Sequence, residues 1–147
     1  EGGGGGACIC CETGAQEGPA LSMAAVMLDT HIVVALYQGK TSGLGRQALA
    51  AIDRDPLCYS PAVLLELELL HEIGRLKHGA TVIARYLADE LEIACAGERF
   101  VEIAQQALPL AYTRDPFDRL IVAHAELLRA PLVTLDQNLR RNYSRAI

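Results

Sequence analysis

Four carboxylates stand where a phosphodiester-cleaving site would need them. Asp29 follows one apolar run, Glu66 lies inside an apolar helix, Asp118 sits at a helix start, and Asp136 follows a second apolar run. A bare charge in a dry site carries a large desolvation cost, so such acids require a positive partner. A divalent cation meets the requirement, because carboxylates suit hard ions that take oxygen ligands. Beside a phosphate, such ions lower the pKa of a bound water and stabilise charge on the attacked group and the leaving oxygen. The number of ions is not readable from the spacing.

Each acid also has a structural role open to it. Asp29 and Asp136 are each placed to cap a following helix, as aspartate commonly does. Asp115-Pro116-Phe117-Asp118 resembles a capping box, and the helix dipole favours both acids. Asp118 shares a face with Ile121, Val122 and Ala125, so Asp115 reads mainly as the cap and Asp118 as the ligand. At 3.6 residues per turn, Glu66 falls with Ala62, Leu69, Leu70 and Ile73, an otherwise apolar face that is expected to be buried. Glu68 falls with Leu64, Leu65, His71, Glu72 and Arg75 and reads as a solvated or paired surface residue. His31 follows Asp29 closely but reads first as a packing or hydrogen-bonding residue. His71, His78 and His124 show no ligand spacing, and no GxSxG, Walker A loop or paired Cys/His nucleophile occurs.

The elements that must position these acids follow from periodicity. Strands are expected at residues 24–28, 57–59, 92–95 and 132–135. Helices are expected from His31 to Tyr37, Gly45 to Ile52, Pro61 to about Ile73, Thr81 to Leu91, Glu98 to Ala107, and Asp115-Pro116 to Leu128. Ser60 is placed to cap the third helix, with Pro61 at its first position. Strands alternating with helices indicate a parallel sheet covered on both faces. In such sheets ligands bind beyond the carboxyl ends of the strands, where Asp29 and Asp136 lie. Residues 140–147 signal a closing strand only weakly.

The 147 residues suffice for one domain with one core. No apolar stretch approaches the roughly 20 residues needed to span a bilayer, and the expected location is the cytoplasm. Residues 1–22 contain seven glycines and no base, and they read as a disordered extension before a nuclease-like domain at 23–147. Met23 is a plausible natural start, and the extension lacks the basic start and long apolar stretch of a secretory signal. Cys8, Cys10 and Cys11 crowd there without zinc-site spacing. Cys58 and Cys95 are expected to be buried free thiols, consistent with a reducing compartment. The net charge of −5 is unusual for a protein that handles nucleic acid, but Glu1, Glu12 and Glu17 account for three of those charges. Neutralising the four candidate acids would leave the remainder slightly positive. Arg114, Arg119, Arg129, Arg140, Arg141 and Arg145 cluster in the last third, and Arg114, Arg119 and Arg140 are candidates to hold an RNA backbone.

These motifs resemble those of PIN domains. Asp29-Thr30-His31 after a strand resembles the opening of that family, as does SPAVLLELELLHEIGRL from Ser60. The most specific matches are RDPFDRLIVAHA (114–125) and LVTLD (132–136). The similarity spans residues 24 to about 143, and the nearest subgroup is the VapC-type toxins of bacterial and archaeal toxin–antitoxin pairs. The resemblance implies a three-layer α/β/α fold with a short central parallel sheet. It implies a Mg²⁺- or Mn²⁺-dependent endoribonuclease, homodimeric and held inactive by a small antitoxin. By motif, the family's acids fall on Asp29, Glu66, Asp118 and Asp136, and Thr134 is placed to support Asp136. Two departures stand out: Leu65 occupies a position where the family often has an aromatic residue, and the usual final strand is short or missing after Arg141.

Other classes fit less well. A receiver-like phosphoacceptor domain needs a second acid beside the first and a lysine after a late strand, but Lys40 and Lys77 follow none. A haloacid-dehalogenase-like phosphatase needs Asp-x-Asp, whereas Thr30-His31 follows Asp29. A non-catalytic PIN-like domain that binds RNA or a partner, and a housekeeping RNA-processing nuclease, remain the alternatives to a toxin.

Overall fold

A computed structural model describes residues 25–147. The glycine-rich segment 1–22 and the cysteines at positions 8, 10 and 11 lie outside the described residues.

Four short strands form one parallel sheet: β1 (Val26–Leu28), β2 (Leu57–Tyr59), β3 (Ala94–Cys95) and β4 (Leu132–Val133), in the order β3-β2-β1-β4. Seven helices accompany them: α1 (Thr30–Tyr37), α2 (Arg46–Arg54), α3 (Pro61–Glu72), α4 (Ala80–Leu91), α5 (Phe100–Ala107), α6 (Pro116–Leu127) and α7 (Gln137–Asn142). The register pairs Met27 with Cys58 on one side and with Leu132 on the other. Every residue of β1 and β4 is buried, as expected where helices cover both faces of a parallel sheet. The fold is the expected α/β class.

The core joins the sheet to one stripe of each helix. Met27, Leu28, Ile32, Leu67, Ile83, Leu87, Ile103, Ile121 and Leu132 are fully buried. Truncating one such side chain to alanine costs about 2–5 kcal/mol. Helix α3 packs on α1, α4 and α6, and α5 packs on α6. No helix among the described residues is long and apolar enough to cross a membrane.

Several boundaries differ from the sequence reading for identifiable reasons. Glu92 does not begin a strand; it ends α4 in the left-handed conformation (φ 55°), leaving only Ala94 and Cys95 for β3. Cys95 is exposed on this edge strand, not buried, whereas Cys58 in β2 is enclosed and burial pushes its thiol up to about 11. Helix α7 was not anticipated. The closing strand exists only in rudiment: Leu132 pairs in parallel with Ala146, and Thr134 N–H donates to the Ile147 carbonyl at 3.2 Å.

Candidate active site

The sheet order creates the site. The chain leaves β1 toward β2 on one side, while β4 adds on the other, so the connections diverge between β1 and β4. A crevice at such a switch point, beyond the carboxyl ends of the strands, is where ligands bind in open parallel sheets. Because Leu28 pairs with Val133, the next residues, Asp29 and Thr134, emerge side by side. Asp29 N–H donates to the Val133 carbonyl at 3.1 Å, extending the ladder by one step to hold the acid in place.

Asp29 is 4 % exposed. Its Oδ1 accepts the Thr30 backbone N–H at 2.7 Å, and its Oδ2 accepts the Thr134 hydroxyl at 2.7 Å. Burial raises its pKa above the ordinary carboxylate value, and the Asp136 charge adds to this. The two hydrogen bonds and His31 pull the other way. Thr134 therefore supports Asp29 and not the Asp136 carboxylate, contrary to the sequence reading. Toward Asp136 it offers only its oxygen, which accepts the Asp136 backbone N–H at 3.0 Å.

Asp118, at the third position of α6, is half-buried and accepts the Thr113 hydroxyl at 3.0 Å. Burial, then the charges of Asp115, Asp29 and Asp136, push its pKa up to about 6 despite that bond. Asp136 is exposed and caps α7, accepting from Asn138 and Leu139 N–H at 2.7 and 2.9 Å. Asp115 is exposed and caps α6 in the same way, through Phe117 and Asp118 N–H. Asp29, His31, Asp118, Leu135 and Asp136 together line a cleft of about 250 Å³. His31 thus faces the cleft as an exposed side chain and not as a packing residue.

Glu66 reaches the site from α3. Its carboxylate accepts a hydrogen bond from the Thr30 hydroxyl, while Thr30 N–H serves Asp29, so one threonine joins both acids. Burial raises the Glu66 pKa, and the Asp29 and Asp115 charges push the same way. The face expected for it was wrong. Leu69 and Ile73 are 40 % and 63 % exposed, and the buried stripe of α3 is Ala62, Val63 and Leu67. Glu66 lies half-buried at the margin of that stripe. Glu68 is a paired residue: it accepts Ala80 N–H at 2.7 Å and so caps α4, whose own N-cap Gly79 has no side chain to do it.

Two further features were absent from the sequence reading. Thr30 and Thr113 each donate to a candidate acid, as Thr134 does. For Thr113 the signal was the Thr-x-Asp at 113–115 that recurs at 134–136; Thr30 has no such pattern. His124, fully buried on α6, is hydrogen-bonded through Nδ1 to Ser60 Oγ (3.0 Å) and through Nε2 to Glu98 (2.6 Å). Ser60 caps α3, so this histidine ties the helix of Asp118 to the helix of Glu66. Ser60 is 1 % exposed and occupied by the Ala62 N–H, which denies the trio access to a substrate.

The carboxylates of the cleft share no ion pair with Lys or Arg among the described residues. Arg119 and Arg140 each donate through Nε to a backbone carbonyl, that of Thr113 and of Thr134, while Arg114 is exposed. No three His, Cys, Asp or Glu side chains among the described residues lie close enough to close a ligand cage. The donor chemistry nevertheless fits a hard cation. Mg²⁺ in particular is commonly held by one or two carboxylates and keeps several waters.

The PIN domain model matches residues 26–144. The chain belongs to the PIN domain family. No curated protein matches it significantly. Among solved structures, a toxin–antitoxin complex from Klebsiella pneumoniae is similar to this PIN domain with a TM-score of 0.56 and 18 % identity. The match covers 83 % of this chain and 95 % of that one. VapBC2 from Rickettsia felis, bound to a DNA fragment from its promoter, gives a TM-score of 0.57 and 20 % identity over 83 % and 96 %. At these identities the likeness concerns the fold.

Proposed function

We propose that this PIN domain is a metal-dependent endoribonuclease and the toxin of a toxin–antitoxin pair. The observation that carries the reading is the meeting of Asp29, Asp118 and Asp136 in one cleft, with Glu66 joined to Asp29 through Thr30. Burial first, and neighbouring acidic charge second, raises the pKa of Asp29, Glu66 and Asp118, and among the described residues none of the three is paired with Lys or Arg; a bound cation would offset both causes. Asp29, Asp118, Asp136 and Glu66 would hold Mg²⁺ or Mn²⁺ between them, one or two as direct ligands and the others through the ion's waters. The bound ion would supply an acidified water and neutralise charge building on the phosphate. The residues of the chain orient the donors: Thr113 holds one oxygen of Asp118 and Thr30 one oxygen of Glu66, leaving the second oxygen of each for the ion, while both oxygens of Asp29 accept, from Thr30 N–H and the Thr134 hydroxyl, and would offer the ion their remaining lone pairs. Hydrolysis by water in this way leaves a 5′-phosphate and a 3′-hydroxyl. The structural likeness to toxin–antitoxin complexes supports an antitoxin protein as partner; a homodimer is part of the same proposal.

Purified protein is expected to cut single-stranded RNA with Mg²⁺ or Mn²⁺ and to stop in EDTA. Its expression should arrest growth, whereas Asp29→Asn should not. Equal cleavage with chelator present would reject the metal mechanism, and equal arrest by the variant would reject catalytic toxicity.

A further inference from the structure

The acidic cleft holds two side chains that the metal reading leaves without a task. Asp29, Asp118, Asp136, His31 and Leu135 line it, and three of these five are the carboxylates assigned to an ion. His31 is the second residue of α1, between Thr30 and Ile32, which are both fully buried. Its own side chain is exposed. The other histidines are tied down: His71 to the Leu76 carbonyl, His78 to the Tyr37 hydroxyl and His124 to Ser60 Oγ. Among the described residues His31 has neither such a tie nor an ion pair. It does nothing for its helix either, because the macrodipole favours acids, not a basic ring, in the first turn. It stands close enough to Asp29 and Glu66 for its charge to pull both pKa values down against their burial. Leu135 is equally unengaged. Leu132, Val133 and Thr134 before it are fully buried, yet Leu135 is 48 % exposed, next to the cap Asp136.

A ring and a branched apolar side chain beside carboxylates suit a nucleobase next to its phosphate. Single-stranded RNA is commonly held by stacking splayed bases on aromatic side chains, histidine included. Such stacking serves any base, because each has a π-face. One exposed leucine is ordinary by itself, but this one shares a cleft with an imidazole that has no other partner. The cleft, about 250 Å³, is smaller than the roughly 300–1,000 Å³ of pockets that enclose a whole small ligand. It admits part of a chain: one phosphate and the base beside it. With the carboxylates given to an ion and that phosphate, His31 and Leu135 are what remains for the base. We infer that His31 and Leu135 form the seat of the nucleobase beside the phosphodiester to be cut, with the imidazole as stacking face and the leucine as apolar wall. Cleavage is thereby coupled to the presence of a base at that position. RNA as the ligand rests on the nuclease reading above.

The test reads binding and chemistry separately, on the full chain with Mg²⁺. For binding, 2-aminopurine is placed in turn at each position of a short single-stranded RNA, and the chain carries Asp118→Asn to slow cutting. Fluorescence should be quenched at one position. Adding His31→Ala with Leu135→Ala should abolish that quenching and weaken binding roughly tenfold. His31→Phe, which keeps a ring and loses the nitrogens, should preserve the quenching. For chemistry, an abasic ribose beside the cut should lower kcat/KM of the wild type roughly tenfold. The double alanine variant should cut the two RNAs about equally, at the rate of the wild type on the abasic one. Several results would overturn the inference: an equal loss on both RNAs, which would give His31 to the ion or the fold; a raised half-saturating Mn²⁺ concentration in His31→Ala; or base discrimination kept by His31→Asn and lost in His31→Phe, which would make the contact polar. Quenching that depends on His31 and Leu135 in a chain that cuts no RNA would keep the seat and reject the nuclease reading.

Discussion

Residues Thr113 to Arg119 and Thr134 to Arg140 share the pattern Thr-x-Asp-x-x-x-Arg and the hydrogen bonds that go with it. In each, the threonine oxygen accepts the aspartate backbone N–H, at 3.2 and 3.0 Å. In each, the aspartate caps the helix that follows, α6 or α7. In each, the arginine Nε closes the turn onto the threonine carbonyl, at 2.7 and 2.8 Å. They differ in which acid faces the cleft. At α6 the cap, Asp115, stays outside, and the acid at the third helical position, Asp118, lines the cleft; at α7 the cap Asp136 lines it, and the third position is Leu139, fully buried. The hydroxyls diverge as well, since Thr113 serves its own helix while Thr134 reaches across the sheet to Asp29. A helix start is therefore a mount on which either the cap or the acid one turn in can be the working carboxylate, and a capping role does not exclude a functional one.

The largest effects should separate cap from ligand. Asn caps a helix about as well as Asp but carries no charge. Asp118→Asn and Asp136→Asn should each lower RNA cleavage on the order of a hundredfold or more, since they remove charge facing the reacting group, with thermal stability kept. Asp115→Asn should leave cleavage within a few-fold, and Asp115→Ala should cost about 1 kcal/mol of stability. Cleavage lost equally in Asp115→Asn and Asp136→Asn would erase the distinction drawn between the two mounts.

The threonines should differ next. Thr134→Val strips a donor from a carboxylate that is 4 % exposed, which should cost about 1–3 kcal/mol in urea unfolding. Thr113→Val leaves Asp118 half-buried and able to recruit water, so its cost should be smaller, about 0.5–1 kcal/mol. A larger loss at Thr113 would mean that the local bond, and not the one across the sheet, secures the site.

The sheet, its parallel sense and both strand-end aspartates were legible because apolar runs of strand length are bounded by turn residues and end in an acid. Helix α7 was not. Its six residues, QNLRRN, offer one buried apolar side chain, Leu139, too little for a period to show. The orientation of α3 was misread for the opposite reason. AVLLELELL is apolar on several sides, so tertiary packing against α1, α4 and α6, not periodicity, decides which stripe is buried. The pairing of Thr134 with Asp29, 105 residues apart, depends on β1 and β4 lying side by side, which no local pattern encodes.

Acidity tests the cleft as a whole. Asp118 rises from an ordinary 3.8 to about 6. A folded-state pKa above the unfolded one means that the native protein binds more protons between the two values. Without metal, stability should therefore be greatest below about pH 4 as far as this group is concerned, and should decline as pH rises through about 6. Asp29 and Glu66, also raised, act in the same direction. Urea midpoints in EDTA should fall across that window for the wild type and fall less for Asp118→Asn, while Mg²⁺ should restore the wild type at neutral pH. A midpoint that rises from acid to neutral in EDTA would show that the carboxylates are stabilised by partners other than a cation.

The smallest effect is expected at Glu68, which extends the comparison to a single helix. Glu66 and Glu68 lie two residues apart on α3, one bonded to Thr30 at the site and the other to the start of α4. The approach at α4 is tight: a Cβ on Gly79 would fall 2.7 Å from Glu68 Oε2, so only glycine lets the carboxylate sit there undisturbed. Glu68→Gln keeps an oxygen for the Ala80 N–H and gives up the charge that favours a helix N-terminus, a loss of about 0.3–1 kcal/mol. Cleavage should remain near wild type. Glu66→Gln should abolish cleavage while leaving metal-free stability equal or higher, because a mutually repelling charge is removed. Should Glu68→Gln destroy activity while Glu66→Gln retains it, the capping acid is the working one on this helix, and the site must be redrawn toward α4.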